Sequence, residues 1–239
     1  MQAAFDAWLT WRSFLIRPAL LDAPPMSTFT ILLGGEFTPT PRTKAQIAGS
    51  RIIAADAGIR HAIALGVTPE LWVGDFDSVP ADLPEGLAAI ERQKFPVDKD
   101  KTDGELAIAE ALACGATELV LVGAFGGARA DHAFLHLALA MTLAEAGKAM
   151  LLTSGAQEGI PLLPGKARFA YDEGTVFSVI AFTELSGLTV AGARWPLDRV
   201  TVPFGSSWTI SNKVRGDLAI DLSKGRAMLI VHPFPPSSF

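Results

Sequence analysis

The chain has 239 residues, 49% apolar and 19% charged, which allows one large or two modest globular domains and excludes a disordered polypeptide. A net charge of -5 with no Lys/Arg-rich run argues against a nucleic-acid backbone as partner. The single cysteine, Cys114, excludes an intramolecular disulfide framework, fits a reducing compartment and reads as a buried structural thiol in an Ala-rich helical pattern.

Near the amino terminus, Phe5, Trp8, Leu9, Arg12, Leu15 and Ile16 fall at helical spacing until Pro18, Pro24 and Pro25 break the pattern. Arg12 and Arg17 interrupt a stretch already too short to span a membrane, and Asp6 does not suit a secretion signal. Residues 1–26 therefore read as an extension, either an amphipathic segment or sequence upstream of a true start at Met26. No other stretch could cross a membrane, so a soluble, cytoplasmic protein is expected.

From Thr28 onward, apolar runs alternate with helical patterns. Strands are expected at 29–33, 51–55, 71–73, 119–122 and 149–152, and helices at 44–48, 59–65, from Thr102, and at 130–146. Continuous apolar strands alternating with helices indicate a parallel sheet covered on both faces. In such a sheet ligands sit beyond the carboxyl ends of the strands. Gly34-Gly35, Asp56-Ala57-Gly58, Asp75-Phe76-Asp77 and Gly123-Ala124-Phe125-Gly126-Gly127 all fall at such ends. Beyond about Pro161 the helical period stops, and short β runs at 175–182, 188–191, 207–210, 218–222 and 227–231 suggest a sandwich or barrel. The expected fold is an α/β, Rossmann-like domain over residues 27–155 followed by an all-β domain over 161–239.

Five aspartates fall in two short runs, Gly74-Asp75-Phe76-Asp77-Ser78 and Asp98-Lys99-Asp100-Lys101-Thr102-Asp103. Neighbouring carboxylates repel unless a cation lies between them, and a hard divalent ion ligated by oxygen is the usual solution. Asp75 and Asp77, at i and i+2, point the same way if the backbone there is extended. Thr102 and Glu105 form a capping-box pattern, so Asp98 and Asp100 should precede a helix amino terminus, with Asp103 at its start. Gly126-Gly127-Ala128-Arg129-Ala130-Asp131-His132 opens the long helix; the glycines allow close approach of a phosphate and Arg129 offers it a donor fork. No P-loop, dinucleotide glycine motif, zinc motif or nucleophile elbow is present. The residues point to a magnesium site serving a phosphate-bearing substrate.

These two runs, the Arg129-x-Asp131-His132 segment and Phe204-Gly-Ser-Ser-Trp208-Thr-Ile-Ser211-Asn212 together resemble the thiamine pyrophosphokinase family, in order and spacing, from about Thr28 to Val231. The resemblance implies an α/β nucleotide-binding domain, a β-sandwich thiamine-binding domain, a homodimer with the thiamine site at its interface, and transfer of a diphosphoryl group from ATP to thiamine. Carried over by motif, Asp75, Asp77 and Asp100 resemble the magnesium-binding, catalytic acids, with Asp98 a further ligand candidate. Asp56, Ser78, Asp103, Arg129, Asp131 and His132 resemble ATP-side residues, and Ser211 and Asn212 the thiamine side. Two departures stand out: Ala128 is an extra residue before Arg129, and Lys213 stands where bacterial members commonly have an acid, so it should point away from a cationic ligand. Trp195 and Trp208 are expected to be core residues more than stacking platforms.

Two other readings compete. Asp75-Phe76-Asp77-Ser78-Val79 also fits the nucleophile pattern of haloacid-dehalogenase-like phosphatases, although that motif usually ends the first strand and here two βα units come first. A non-catalytic thiamine- or nucleotide-binding protein would carry the same binding motifs.

Overall fold

Apolar runs of four or five residues with no polar face can only be satisfied in the middle of a sheet covered on both sides, and that is where they lie. The computed structural model describes residues 27–76, 84–95, 100–127 and 129–234. Strands β1 (Thr28–Leu32), β2 (Arg51–Ala55), β3 (Leu71–Gly74), β4 (Arg92–Lys94), β5 (Glu118–Val122) and β6 (Ala149–Thr153) are parallel, in the order β6-β5-β1-β2-β3-β4. Phe29, Ile31, Ile53, Val73, Leu119 and Leu121 share one face, packed with Leu106 and Ile108 of helix Asp103–Ala113 and Ala140 and Leu143 of helix Ala130–Glu145. Leu32, Ile52, Ala54, Trp72, Val120 and Val122 take the other face, against Ile59, Ala62 and Leu65 of helix Ile59–Leu65.

The helices begin where the local chemistry says they should. Thr102 caps Asp103–Ala113, accepting from the Glu105 amide at 3.2 Å while Glu105 accepts from the Thr102 amide at 2.9 Å, so the capping box is present. Thr40 accepts from the Thr43 amide and Pro41 occupies the first turn of helix Pro41–Gln46, where a missing N–H costs nothing.

The second half is antiparallel: β7 (Glu158–Leu162), β8 (Gly165–Phe169), β9 (Val176–Ala181), β10 (Leu185–Ala193), β11 (Leu197–Val202), β12 (Asn212–Leu222) and β13 (Ala227–His232). β7 pairs with β6 on one side and β13 on the other, so hydrogen bonding continues from the parallel strands into the antiparallel ones. β12 pairs with β9 at Asn212 and Lys213, and with β8 and β10 farther along. A second core, including Phe177, Val179, Leu188, Val190, Leu218, Ile220 and Leu229, fills the space between them.

Several strands were not expected. β4 is Arg-Gln-Lys on the sheet edge, β11 is Leu-Asp-Arg-Val-Thr-Val, and β7 contains Pro161, which lies beyond the two residues that pair with β6 and so removes no ladder bond there. The strand expected at 207–210 is instead a turn, in which the Trp208 amide donates to the Ser206 hydroxyl at 3.2 Å. Residues 1–26 lie outside the described residues, and among the described residues no helix is long and apolar enough to cross a membrane.

Candidate functional site

From β1 the chain moves to β2 on one side, and from β5 it moves to β6 on the other, so the neighbours β1 and β5 form the switch point of the sheet. In such a sheet the region beyond the carboxyl ends at the switch point is where ligands bind. Here it carries the Gly34-Gly35 turn after β1 and the Gly123–Gly127 turn after β5. The two turns touch: a methyl group added at Gly35 would sit 2.2 Å from the Gly123 carbonyl oxygen. Gly123 itself has φ 75°, a conformation that side chains disfavour. Gly35→Ala is therefore expected to force the turns apart and lower stability by about 1–3 kcal/mol, as overpacking does, measured by urea unfolding.

Neighbouring helices hold these turns. Arg60 donates to the carbonyls of Gly34 and Gly35, and the buried His61 places Nε2 2.9 Å from the Gly35 carbonyl. A carbonyl only accepts, so His61 is the Nε2–H tautomer. On the other side the buried His136 donates from Nδ1 to the Ala124 carbonyl at 3.2 Å. Burial pushes both imidazoles below their ordinary pKa and keeps them neutral. Sequence reasoning missed Arg60, His61 and His136; a buried histidine carries no pattern that separates a loop clamp from ordinary core packing.

The acids lie along the same edge. Gly74 ends β3 beside Asp56, which follows β2, so close that a Gly74 methyl group would be 3.3 Å from the Asp56 Cα. Asp56 and Asp75 therefore come from adjacent strand ends. Asp56 has φ 43° and Phe76 has φ 64°. Such backbone is costly for a bulky residue, and outliers of this kind gather at functional sites. The condition under which Asp75 and Asp77 would point the same way, an extended backbone, is not met at Phe76, where φ is positive. Phe76 is packed edge-on against Trp72, ring centroids 5.0 Å apart, with Arg92 stacked over both rings. Asp100 is exposed just before the helix that Asp103 begins, and that helix start meets β1, because a Gly104 methyl group would press on Leu33. Asp77, Ser78, Asp98 and Ala128 lie outside the described residues. Among the described residues no three acid, cysteine or histidine side chains gather as a metal cluster.

Arg129 precedes helix Ala130–Glu145 and forms a two-point fork to Asp131, at 3.0 and 2.7 Å. This fork holds the Asp131 carboxyl well below the usual range. The N-cap position, Arg129, makes no side-chain cap bond, whereas the Asp131 carboxylate also accepts from backbone at the helix start, from His132 and from its own amide. His132 stands edge-on to His136, 6.4 Å between centroids.

Ser211 and Asn212 lie elsewhere, in the antiparallel half, where they help line a cavity of about 400 Å³ walled by Phe177, Val190, Trp195, Leu197 and Trp208. Trp195 and Trp208 are 52% and 58% exposed, which corrects the expectation that they are core residues. Lys213 follows the buried Asn212 on β12 and is exposed; successive strand residues face opposite ways, so it turns from the pocket side as expected.

This arrangement defines an α/β protein with an acid- and glycine-bearing strand-end edge and a separate aromatic-walled pocket on an antiparallel module. Two family models match it in series: thiamin pyrophosphokinase, catalytic domain, over residues 45–152, and thiamin pyrophosphokinase, vitamin B1 binding domain, over residues 166–227. Together they span well over half of the chain. The thiamine pyrophosphokinase of Bacillus subtilis (strain 168) is 28% identical over 206 residues, covering 79% of this chain and 90% of that protein. The thiamin pyrophosphokinase structure from Geobacillus thermodenitrificans superposes with a TM-score of 0.71 at 26% identity, covering 90% of this chain and all of that one. The Candida albicans thiamin pyrophosphokinase, at 12% identity, shares the fold with a TM-score of 0.71 over 93% of this chain and 96% of its own. The chain belongs to the thiamin pyrophosphokinase family.

Proposed function

We propose that the chain transfers the diphosphoryl group of ATP to the hydroxyl of thiamine, giving thiamine diphosphate and AMP. The observation that carries this reading is the tandem match of the catalytic and vitamin B1 binding models on one chain. The acidic strand-end edge and the aromatic-walled pocket supply one location for each substrate. We read residues 27–155 as a Rossmann-like nucleotide domain and 161–239 as a β-sandwich thiamine domain, in a cytoplasmic homodimer whose interface completes the thiamine site.

The donor set on the acidic edge fits a hard divalent cation: the carboxylates of Asp75 and Asp100 are oxygen donors with no thiol among them, the chemistry Mg2+ prefers. Asp75, Asp77, Asp98 and Asp100 would hold it. When bound, the ion neutralises triphosphate charge and orients the chain of phosphates. The remaining work is positioning. The Gly35 and Gly123 turns let backbone approach the phosphates, Asp56, Asp103 and His132 serve the nucleotide side, where the motif also assigns Ser78, and Asp131 holds the Arg129 fork in place. The thiamine hydroxyl oxygen bonds to the β-phosphorus as the bond from that phosphorus to the α–β bridging oxygen breaks. AMP leaves with that oxygen, and the hydroxyl proton passes to a carboxylate of the acidic edge.

The deciding experiment incubates the protein with ATP, Mg2+ and thiamine and separates the nucleotides. AMP should appear only when thiamine and ATP are both present. ADP, or free phosphate formed without thiamine, would reject the reading. The phosphatase alternative is not favoured by the family matches, and it predicts a trapped aspartyl-phosphate from a simple phosphate ester instead.

A further inference from the structure

The Asn212 side chain is already spent on protein. Its Oδ1 accepts from the Trp195 amide at 3.2 Å and from the Lys213 amide at 2.8 Å, and its Nδ2 donates to the Trp195 carbonyl at 2.8 Å. Of four hydrogen-bonding positions on a carboxamide, three are occupied, and the residue is only 8% exposed. Both backbone groups of Trp195 are thus tied to one side chain, which adds a rung beyond the place where the β10–β12 ladder shifts register near Ala193. The neighbouring backbone supports that rung, the Arg194 amide donating to the Lys213 carbonyl at 2.8 Å. Trp195 is the residue so held, and its half-exposed ring walls the 400 Å³ cavity, with Arg194 stacked 4.7 Å from the ring centroid.

We infer that Asn212 is a positioning residue: although it lines the cavity, its carboxamide is bonded to backbone, and it sets substrate recognition by fixing the Trp195 wall. Ser211, with φ 59° and its amide bonded to the Ser178 hydroxyl at 3.0 Å, supplies the turn that brings the carboxamide round to Trp195. Thr209 fastens the same turn to β9, its hydroxyl donating to the Val179 carbonyl at 2.6 Å. The chemistry recognised is a flat aromatic ring seated against an apolar wall, and the identification of that ring with thiamine rests on the function proposed above.

The test is a double-mutant cycle on steady-state thiamine kinetics, with the KM for ATP measured in the same preparations. Asn212→Ala leaves the amide and the carbonyl of Trp195 without their side-chain partner and should raise the thiamine KM about tenfold or more, with the KM for ATP unchanged. Trp195→Ala should raise it at least as much, and the double variant should match Trp195→Ala alone, because Asn212 then has no wall left to hold. Asn212→Ser, which retains a hydroxyl near the Trp195 amide, should fall between wild type and Asn212→Ala, and serves alone if the alanine variant does not fold. An unchanged thiamine KM in Asn212→Ser or Asn212→Ala overturns the inference. So does an Asn212 penalty that persists in full on the Trp195→Ala background, which would mean direct contact with substrate. A wild-type protein that forms no AMP from ATP and thiamine rejects the function itself and is separable from either result.

Discussion

Asp75→Asn is expected to lower kcat/KM for diphosphoryl transfer by about a thousandfold while leaving the thermal midpoint nearly unchanged. A metal ion contributes several kcal/mol of charge stabilisation in the transition state, and each 1.36 kcal/mol is about tenfold in rate. The substitution preserves shape and removes the anionic oxygen, so the acidic edge keeps its packing but loses an oxygen donor. The turn beside it is held by Phe76 against Trp72 and by Arg92 over both rings. Steady-state assays over a range of Mg2+ concentration, with calorimetric melting of the same samples, check both halves. Near-normal activity in Asp75→Asn would remove Asp75 from the proposed metal ligands.

Glu158→Ala should have the largest effect on stability, about 3 kcal/mol in urea unfolding. Glu158 is 1% exposed and accepts from Arg42 at 2.5 and 3.1 Å, from Gln46 at 2.6 Å and from Tyr171 at 2.6 Å. Arg42 also stacks over the Tyr171 ring at 4.9 Å. Breaking a buried pair costs about 3–5 kcal/mol because the surviving partner is stranded. The lower end applies here, since the Arg42 side chain keeps 39% exposure and can reach water. Glu158→Gln and Tyr171→Phe should cost less, about 1–2 kcal/mol each.

The acid dependence follows with a definite sign. Burial alone would raise the Glu158 pKa, but the bonds from Arg42, Tyr171 and Gln46 outweigh it and hold the carboxyl below its ordinary 4.5. A depressed folded pKa stabilises the protein above about pH 4.5, and that contribution fades as pH falls through the lowered value. The wild type should therefore lose stability faster than Glu158→Gln on acidification below that point.

Much of the catalytic half was legible because its signals are local. The helix after Thr102 starts where Thr102 and Glu105 say, and β2 and helix Ile59–Leu65 match the expected limits, since burial on both faces leaves uninterrupted apolar runs. The antiparallel half was harder. β8 and β11 expose one face and carry Lys, Arg and Asp, while β7 carries a proline, so neither apolar runs nor alternation marked them. Ser207–Ile210 has strand-forming residues, yet serine hydroxyls and the left-handed Ser211 make it a turn.

The sequence by itself determined the α/β-then-β order, the two acidic runs and the turns that must lie at strand ends, because each depends on residue type and short spacing. Only the tertiary structure decided which of these meet. It set Asp56 beside Gly74, the residue before Asp75, through the β2–β3 pairing, and gave Phe76 a positive φ. It also spent Asn212 on the Trp195 backbone and brought Arg42 to Glu158 across 116 residues. Contacts of that range are made by sheet register and packing, which no stretch of neighbouring residues encodes alone.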